Sequence, residues 1–270
     1  MHPENVSCLK AAAIDCCALA NNHVLDWGRS GLTETLETLQ QAGITTAGAG
    51  RDAAEAAAPA IQAIGSRKRV VTFSSGSITS GIPRDWAAGE HTAGVNLLED
   101  RTLERIATDV RSMKRPGDVF VASLHWGGNW GFEIPRDQML LAHRLIDEAG
   151  IDVVHGHSAH HPKGIEVYAG KLVLYGCGDF LNDYEGIEGN EEFRGDLALM
   201  YFVTIDPAEG RLVRLDMTPL QVRRFRLNRA SNDDATWLRD TLDRECGKLG
   251  TRVESTTDDR LTLGWPDGPP

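Results

Sequence analysis

The sequence predicts an α/β fold with a largely parallel sheet, and three observations carry that expectation. Short apolar runs rich in small and β-branched residues, "IDCCALA", "RVVTFSS", "DVFVASL" and "IDVVHG", alternate with segments of helical spacing. The alternation follows a βαβα rhythm, which places helices on a sheet rather than on one another. Imidazole-bearing loops then follow three of those runs, at the strand ends where ligands gather in open α/β sheets.

Taken in order, "PENVSCLKAAA" reads as a helix opened by Pro3, and "IDCCALA" as the first strand. "SGLTETLETLQQAG" places Leu32, Leu36 and Leu39 on one helical face, with Ser30 as its cap and Gly43 as its stop. "ITTAGAG" is a short strand or turn, and "RDAAEAAAPAIQAI" a helix broken by Pro59. "RVVTFSS" is a strand, and residues 76–94, rich in Gly, Pro and Trp, form an irregular loop. A helix over 98–114 leads to the strand "DVFVASL", which ends at His125; a helix over 136–149 leads to "IDVVHG". Beyond it the rhythm changes. "GIEVYAGKLVLYGCG" reads as a hairpin turning at Ala169-Gly170, followed by strands in "LALMYFVTI" and "RLVRLDMTPLQVRRFRL", a helix in "DATWLRDTLDRECGKLG" and a final short strand. With no internal repeat or linker, residues 1–265 are expected as one domain and 266–270 as a frayed tail.

At 270 residues the chain can bury a real core, and 41% hydrophobic with 25% charged residues is an ordinary globular composition. A net charge of −11 argues against a nucleic-acid partner, which needs a basic face. No apolar run reaches the roughly 18 residues of a membrane span. Glu4 and Asp15 interrupt the N-terminal apolar stretch, so it reads as mature protein and the expected location is cytoplasmic. Five cysteines without framework spacing fit a reducing compartment, with Cys16 and Cys17 as small core residues.

The chemistry concentrates in three loops. "LANNHVLDWG" offers Asn21, Asn22, His23 and Asp26; "HWGGNWG" offers His125; "HGHSAHH" offers His155, His157, His160 and His161. Neutral imidazoles are ligands for zinc, iron and manganese. A lone loop histidine is more often solvated or capping, a reading that is harder to apply to histidines repeated at three strand ends; metal and solvated readings both stand for "HGHSAHH". Asn22 can offer its carbonyl oxygen to a metal, while His23, held by the Asp26 carboxylate, can stay off the metal and deliver a proton. An asparagine-rich turn with a structural hydrogen bond is the competing reading of that loop. His155 is expected on the strand, and His161 as a supporting or surface residue. Asp179 in "YGCGDF" reads as turn chemistry at a hairpin end. Trp126, Trp130 and Phe132 either wall a cleft or pack on the sheet, and "NDYEGIEG" reads as a solvated loop.

Together, "LANNHVLDWGRSGLTETLETLQQAGITTAGAG", "SLHWGGNWGFEIP" and "LIDEAGIDVVHGHSAHHPKGIEVYAGKLVLYGCGDF" resemble the CapA family of poly-gamma-glutamate (capsule) biosynthesis proteins, whose members look like calcineurin-type metallophosphoesterases. The likeness runs from about residue 1 to 194. It implies a four-layer α/β/β/α sandwich with a two-metal site. Carried over residue by residue, Asn22, His125 and His157 share one metal, His160 serves the other, and His23 is the acid. The implied cofactor is a divalent metal (Mn, Fe or Zn), one or two ions. The family's opening strand with its Gly-Asp loop and its Asn-Leu-Glu segment does not precede Met1, and its Gly-Asn-Phe is Gly178-Asp179-Phe180 here. The expectation is therefore a sandwich lacking its first strand, with a second metal position left to His160.

The resemblance implies metal-assisted hydrolysis of a phosphoester or of a gamma-glutamyl polymer, with further partners in a polymer-synthesis complex. The alternative is a non-catalytic assembly or export factor, or an inactive truncated relative.

Overall fold

His2 caps a single 3-10 turn at Pro3–Asn5, its side chain accepting from the Glu4 N–H, and α1 (Val6–Ala11) follows directly. The structure, a computed structural model, describes residues 2–65, 68–182, 184 and 187–268. Residues 183, 185 and 186 of the expected acidic loop, and the last two residues of the expected tail, lie outside that set. The chain divides into two compact units, residues 1–127 with 147–151 and residues 128–146 with 152–270.

In the first unit β1 (Cys16–Ala18) and β2 (Thr45–Ala47) pair in parallel on either side of α2 (Gly28–Gln41), a βαβ crossover. Leu32, Leu36 and Leu39 recur at helical spacing and are buried with Leu19, Ala20, Leu25 and Ile44. Gly43 ends the helix at φ +77°, a conformation that suits glycine. Ser30 is not the cap: α2 begins two residues earlier, at Gly28. The turn that carries Asp26 N–H to the His23 carbonyl and Gly28 N–H to the Leu25 carbonyl feeds the chain into the helix.

After β3 (Ala49–Gly50), Asp52 accepts from the Glu55 N–H at 2.8 Å to start α3 (Ala53–Ala57). The expected helix stops there. Residues beyond Pro59 form β4 (Ala60–Ile64), antiparallel to β5 (Lys68–Gly76) from Ala60 opposite Thr72 to Ile64 opposite Lys68. Alanine content favours helix locally, and the sheet partner overrides it. Two 3-10 turns and the short β6 (Gly94–Val95) occupy the irregular stretch after β5. α4 (Thr102–Met113) then leads to β7 (Val119–His125), parallel to β5 with Gly76 opposite His125.

In the second unit α5 (Arg136–Asp147) precedes β8 (Val153–His157). β9 (Ile165–Tyr168) and β10 (Lys171–Leu174) form the expected hairpin, with Ala169 at φ +50° and Gly170 at φ +77° in its two-residue turn. β10 also pairs in parallel with β8. A separate antiparallel sheet orders β11 (Leu197–Asp206), β12 (Arg211–Val222), β15 (Leu261–Gly264) and β14 (Arg252–Ser255), with β13 (Leu227–Arg229) paired to β12. α6 (Asn232–Gly247), capped by Ser231, packs against β14 and β9.

The α/β class is as expected, but strand pairing is mixed rather than largely parallel, because β4, β9 and the whole β11–β15 sheet run antiparallel. Among the described residues no helix is long and apolar enough to cross a membrane.

Candidate functional site

In the first unit the loop after β1 is organised by its own backbone. Leu19 N–H donates to the Ala47 carbonyl at 2.8 Å, and the Asn21 side-chain oxygen accepts from the His23 N–H at 2.9 Å. Asn21 is thus an Asx-turn residue whose oxygen is spent on the loop. His23 and Asp26 meet as expected, Nδ1 to Oδ2 at 2.8 Å, with the His23 side chain 70% exposed. Trp27, 84% exposed, stands next in the chain and was not anticipated as a surface aromatic.

β7 delivers His125 to the end of the β5–β7 ladder. Its carbonyl accepts from Ser77 N–H at 2.7 Å and from the buried Ser80 hydroxyl at 3.0 Å, which anchors the residue's backbone. His125 is itself buried, and its Nε2 lies 3.1 Å from Asn22 Oδ1. Two donors held by one cation at about 2.1 Å stand roughly 3.0–3.4 Å apart at octahedral to tetrahedral angles. The Asn22–His125 spacing fits that range as well as it fits a hydrogen bond.

In the second unit β8 places His155 and His157 on one face, two residues apart, with ring centroids separated by 5.5 Å. Loss of hydration pushes His155 down to about 4, so its ring is neutral at physiological pH. Ser158 follows at φ +123°, a backbone conformation costly for a residue with a Cβ. His160 is held on several sides. Its N–H donates to the Asn129 carbonyl at 3.0 Å, its ring tilts against Trp130 at 5.5 Å, and its Nδ1 meets Asp179 Oδ1 at 2.9 Å. The Tyr184 hydroxyl donates to Asp179 Oδ2 at 2.8 Å, and Asn182 Nδ2 reaches the same oxygen at 3.3 Å.

Asp179 is therefore more than a turn residue. A carboxylate on Nδ1 keeps the proton there and leaves Nε2 as the lone-pair nitrogen, the arrangement found behind metal-bound histidines. The pair is about four-fifths buried, so water competes weakly for either partner. Sequence reading missed the Asp179–His160 pair because the two residues lie 19 apart and meet only through the β9–β10 hairpin.

His161 is not a surface residue: it is fully buried. Its Nδ1–H donates to the Pro162 carbonyl at 3.0 Å, and its ring stacks on Phe193 at 4.9 Å and meets the edge of Phe132 at 4.7 Å. Burial pushes it down to about 4. Trp130 and Phe132 thus pack the segment that carries His160, while Trp126 is buried in the first unit.

Among the described residues no group of three or more His, Cys, Asp or Glu side chains is arranged to hold a metal ion. One unit offers an amide oxygen beside an imidazole, and the other an imidazole oriented by a carboxylate. In chemistry Asn22 Oδ1, His125 Nε2 and His160 Nε2 all fit a divalent cation.

A model of the family described as "Bacterial capsule synthesis protein PGA_cap" matches residues 1–184. The chain is 48% identical over 267 residues, 97% of its length and 70% of the relative's, to a probable polyglutamine synthesis accessory protein of Mycobacterium tuberculosis. It is 27% identical over 181 residues to the capsule biosynthesis protein CapA of Bacillus anthracis, covering 67% of this chain and 43% of that one. It is 26% identical over 226 residues to the PGA biosynthesis protein CapA of Bacillus subtilis, covering 81% and 54%.

Proposed function

Because the chain belongs to the bacterial capsule synthesis protein family PGA_cap, we propose that it is an accessory protein of polyglutamyl capsule-polymer synthesis carrying a metal-dependent hydrolase site. That reading takes the fold to be of the calcineurin-like metallophosphoesterase type. The observation that supports it most is the Asp179 carboxylate on His160 Nδ1, at 2.9 Å. It turns Nε2 outward as a ligand and raises its basicity.

In this reading Asn22 and His125 are the metal donors of the first unit and His157 and His160 those of the second, for divalent ions (Mn, Fe or Zn). A bound ion supplies Lewis-acid polarisation of the scissile ester or amide and acidifies water. The rest falls to the chain. Ser77 and Ser80 fix the His125 backbone so that the ring presents Nε2. Asp26 holds His23 by Nδ1, leaving Nε2 to carry a proton to the leaving group. Exposure suits that role, since His23 must exchange its proton with solvent between turnovers.

The test is elemental analysis of purified protein. His125→Ala and His157→Ala should each lower bound metal, and full occupancy retained in both overturns the metal assignment. A second reading, a non-catalytic assembly factor with the same fold, is supported by the relatives described as probable polyglutamine synthesis accessory proteins. Manganese-dependent cleavage of a generic phosphodiester, lost in His23→Ala, separates the two.

A further inference from the structure

Arginines on the β11–β15 sheet and its approaches keep a carboxylate two residues away. Arg194 pairs with Asp196 at 2.8 Å, Arg214 with Asp216 at 2.8 Å, Arg252 with Glu254 at 3.0 Å and Arg260 with Asp258 at 2.9 Å. The β12–β13 hairpin breaks the habit. "VRRFRLNR" places Arg223, Arg224, Arg226 and Arg229 within seven residues, and no acidic residue occurs between Asp216 and Asp233. All four arginines are exposed, and among the described residues none of them has an ion-pair partner. This is a local charge of +4 on a chain of net −11.

The tip is also preorganised. Arg223 and Arg226 exchange backbone hydrogen bonds at 3.0 and 3.2 Å, closing a two-residue turn. Its central residues, Arg224 at φ +55° and Phe225 at φ +54°, sit where Asn-Gly is the usual occupant. The Asn228 side chain braces the turn by donating to the Gln221, Arg223 and Arg226 carbonyls at 3.4, 3.2 and 3.0 Å. The turn sets Phe225, which is 66% exposed, and its flanking arginines at the apex of the hairpin.

The geometry points to this hairpin tip as a peripheral docking element for a bilayer surface of anionic phospholipid. Basic side chains near such a surface each raise affinity about five-fold, and an aromatic ring at the apex suits the headgroup boundary. A soluble polycarboxylate would satisfy the arginines but has no comparable use for Phe225. Asp196, immediately before β11 and beside this hairpin, is already engaged by Arg194 at 2.8 Å and by Gln221 at 3.0 Å. Charges more than about 10 Å away are largely screened at physiological salt. Arg229 lies lower on the hairpin, on a cavity of about 420 Å³ also lined by Asp258 and Asp259, so the tip charge rests on the other three.

The experiment is flotation of the full chain with vesicles of equal parts phosphatidylglycerol and phosphatidylcholine, against pure phosphatidylcholine, in about 0.1 M salt. Binding is expected to the anionic vesicles alone. The triple variant R223A/R224A/R226A should lose roughly 10²-fold in affinity. The triple lysine variant should keep most of it, because a lipid surface reads charge rather than a guanidinium fork. F225A should weaken binding several-fold with its salt dependence intact. Thermal melts of each variant report that the fold is retained. Absence of binding to anionic vesicles, equal binding to both vesicles, or an unaltered alanine triple variant overturns the proposal. Loss of binding in the lysine variant, or indifference to F225A with competition by soluble polyglutamate, also overturns it, in favour of carboxylate recognition.

Discussion

His160 Nδ1 and Asp179 Oδ1 stand 2.9 Å apart across the hairpin end, with the Tyr184 hydroxyl closing the carboxylate's far oxygen at 2.8 Å. The pair fixes which imidazole nitrogen carries the proton, and so which one can bind a metal.

If that pair orients a ligand, Asp179→Asn should lower metal affinity by about 10- to 100-fold while His160 remains in place. Competition titration against a chelator measures it. An unchanged affinity would assign Asp179 to the turn alone.

On the proposed hydrolase reading, His23→Ala should lower hydrolysis by roughly 10²- to 10⁴-fold with metal content unchanged, the signature of a lost proton donor. Asp26→Asn should have a smaller effect in the same direction, since it leaves the ring present but poorly oriented. Loss of metal in either variant would move the loop from acid catalysis to ligation.

Ser158 at φ +123° stands between His157 and His160. Ser158→Gly should relieve about 1–2 kcal/mol of backbone strain and raise the melting temperature. If His157 and His160 hold metal as proposed, it should also weaken metal binding, because the segment between them gains freedom. A stabilised variant with undiminished metal affinity would show the strain to be incidental.

Arg69 and Asp118 form a part-buried forked pair in the first unit, Nε to Oδ1 at 2.9 Å and Nη2 to Oδ2 at 2.6 Å. The Arg69 hydrogen bonds hold the Asp118 carboxyl below the usual carboxylate range. A carboxyl depressed by folding contributes stability that is complete above its unfolded value, near 4, and is lost as pH falls through the lower folded value. Wild-type melting temperature should therefore fall more steeply than that of Asp118→Asn below about pH 4. Parallel curves would place the acid sensitivity elsewhere.

Much of the local structure was legible in the sequence because it depends on neighbours a few residues apart. The leucine stripe of α2, the Gly43 stop and the Ala169-Gly170 turn all follow from helical periodicity and from backbone angles that few residues adopt. The same holds for the His23–Asp26 pair, three residues apart in one loop. Alanine-rich 60–64 misled because helix propensity is worth tenths of a kilocalorie per residue, less than an antiparallel partner supplies.

The sequence by itself determined the α/β class, the three imidazole-bearing loops and the acidic balance of the chain, since composition and short-range periodicity carry all three. Only the tertiary structure decided that Asn22 faces His125, that Asp179 orients His160, and that His161 lies buried against Phe132 and Phe193. Those relations join residues 19 to 103 positions apart, or depend on what surrounds a side chain, and such contacts exist only once strands have paired and water has been excluded.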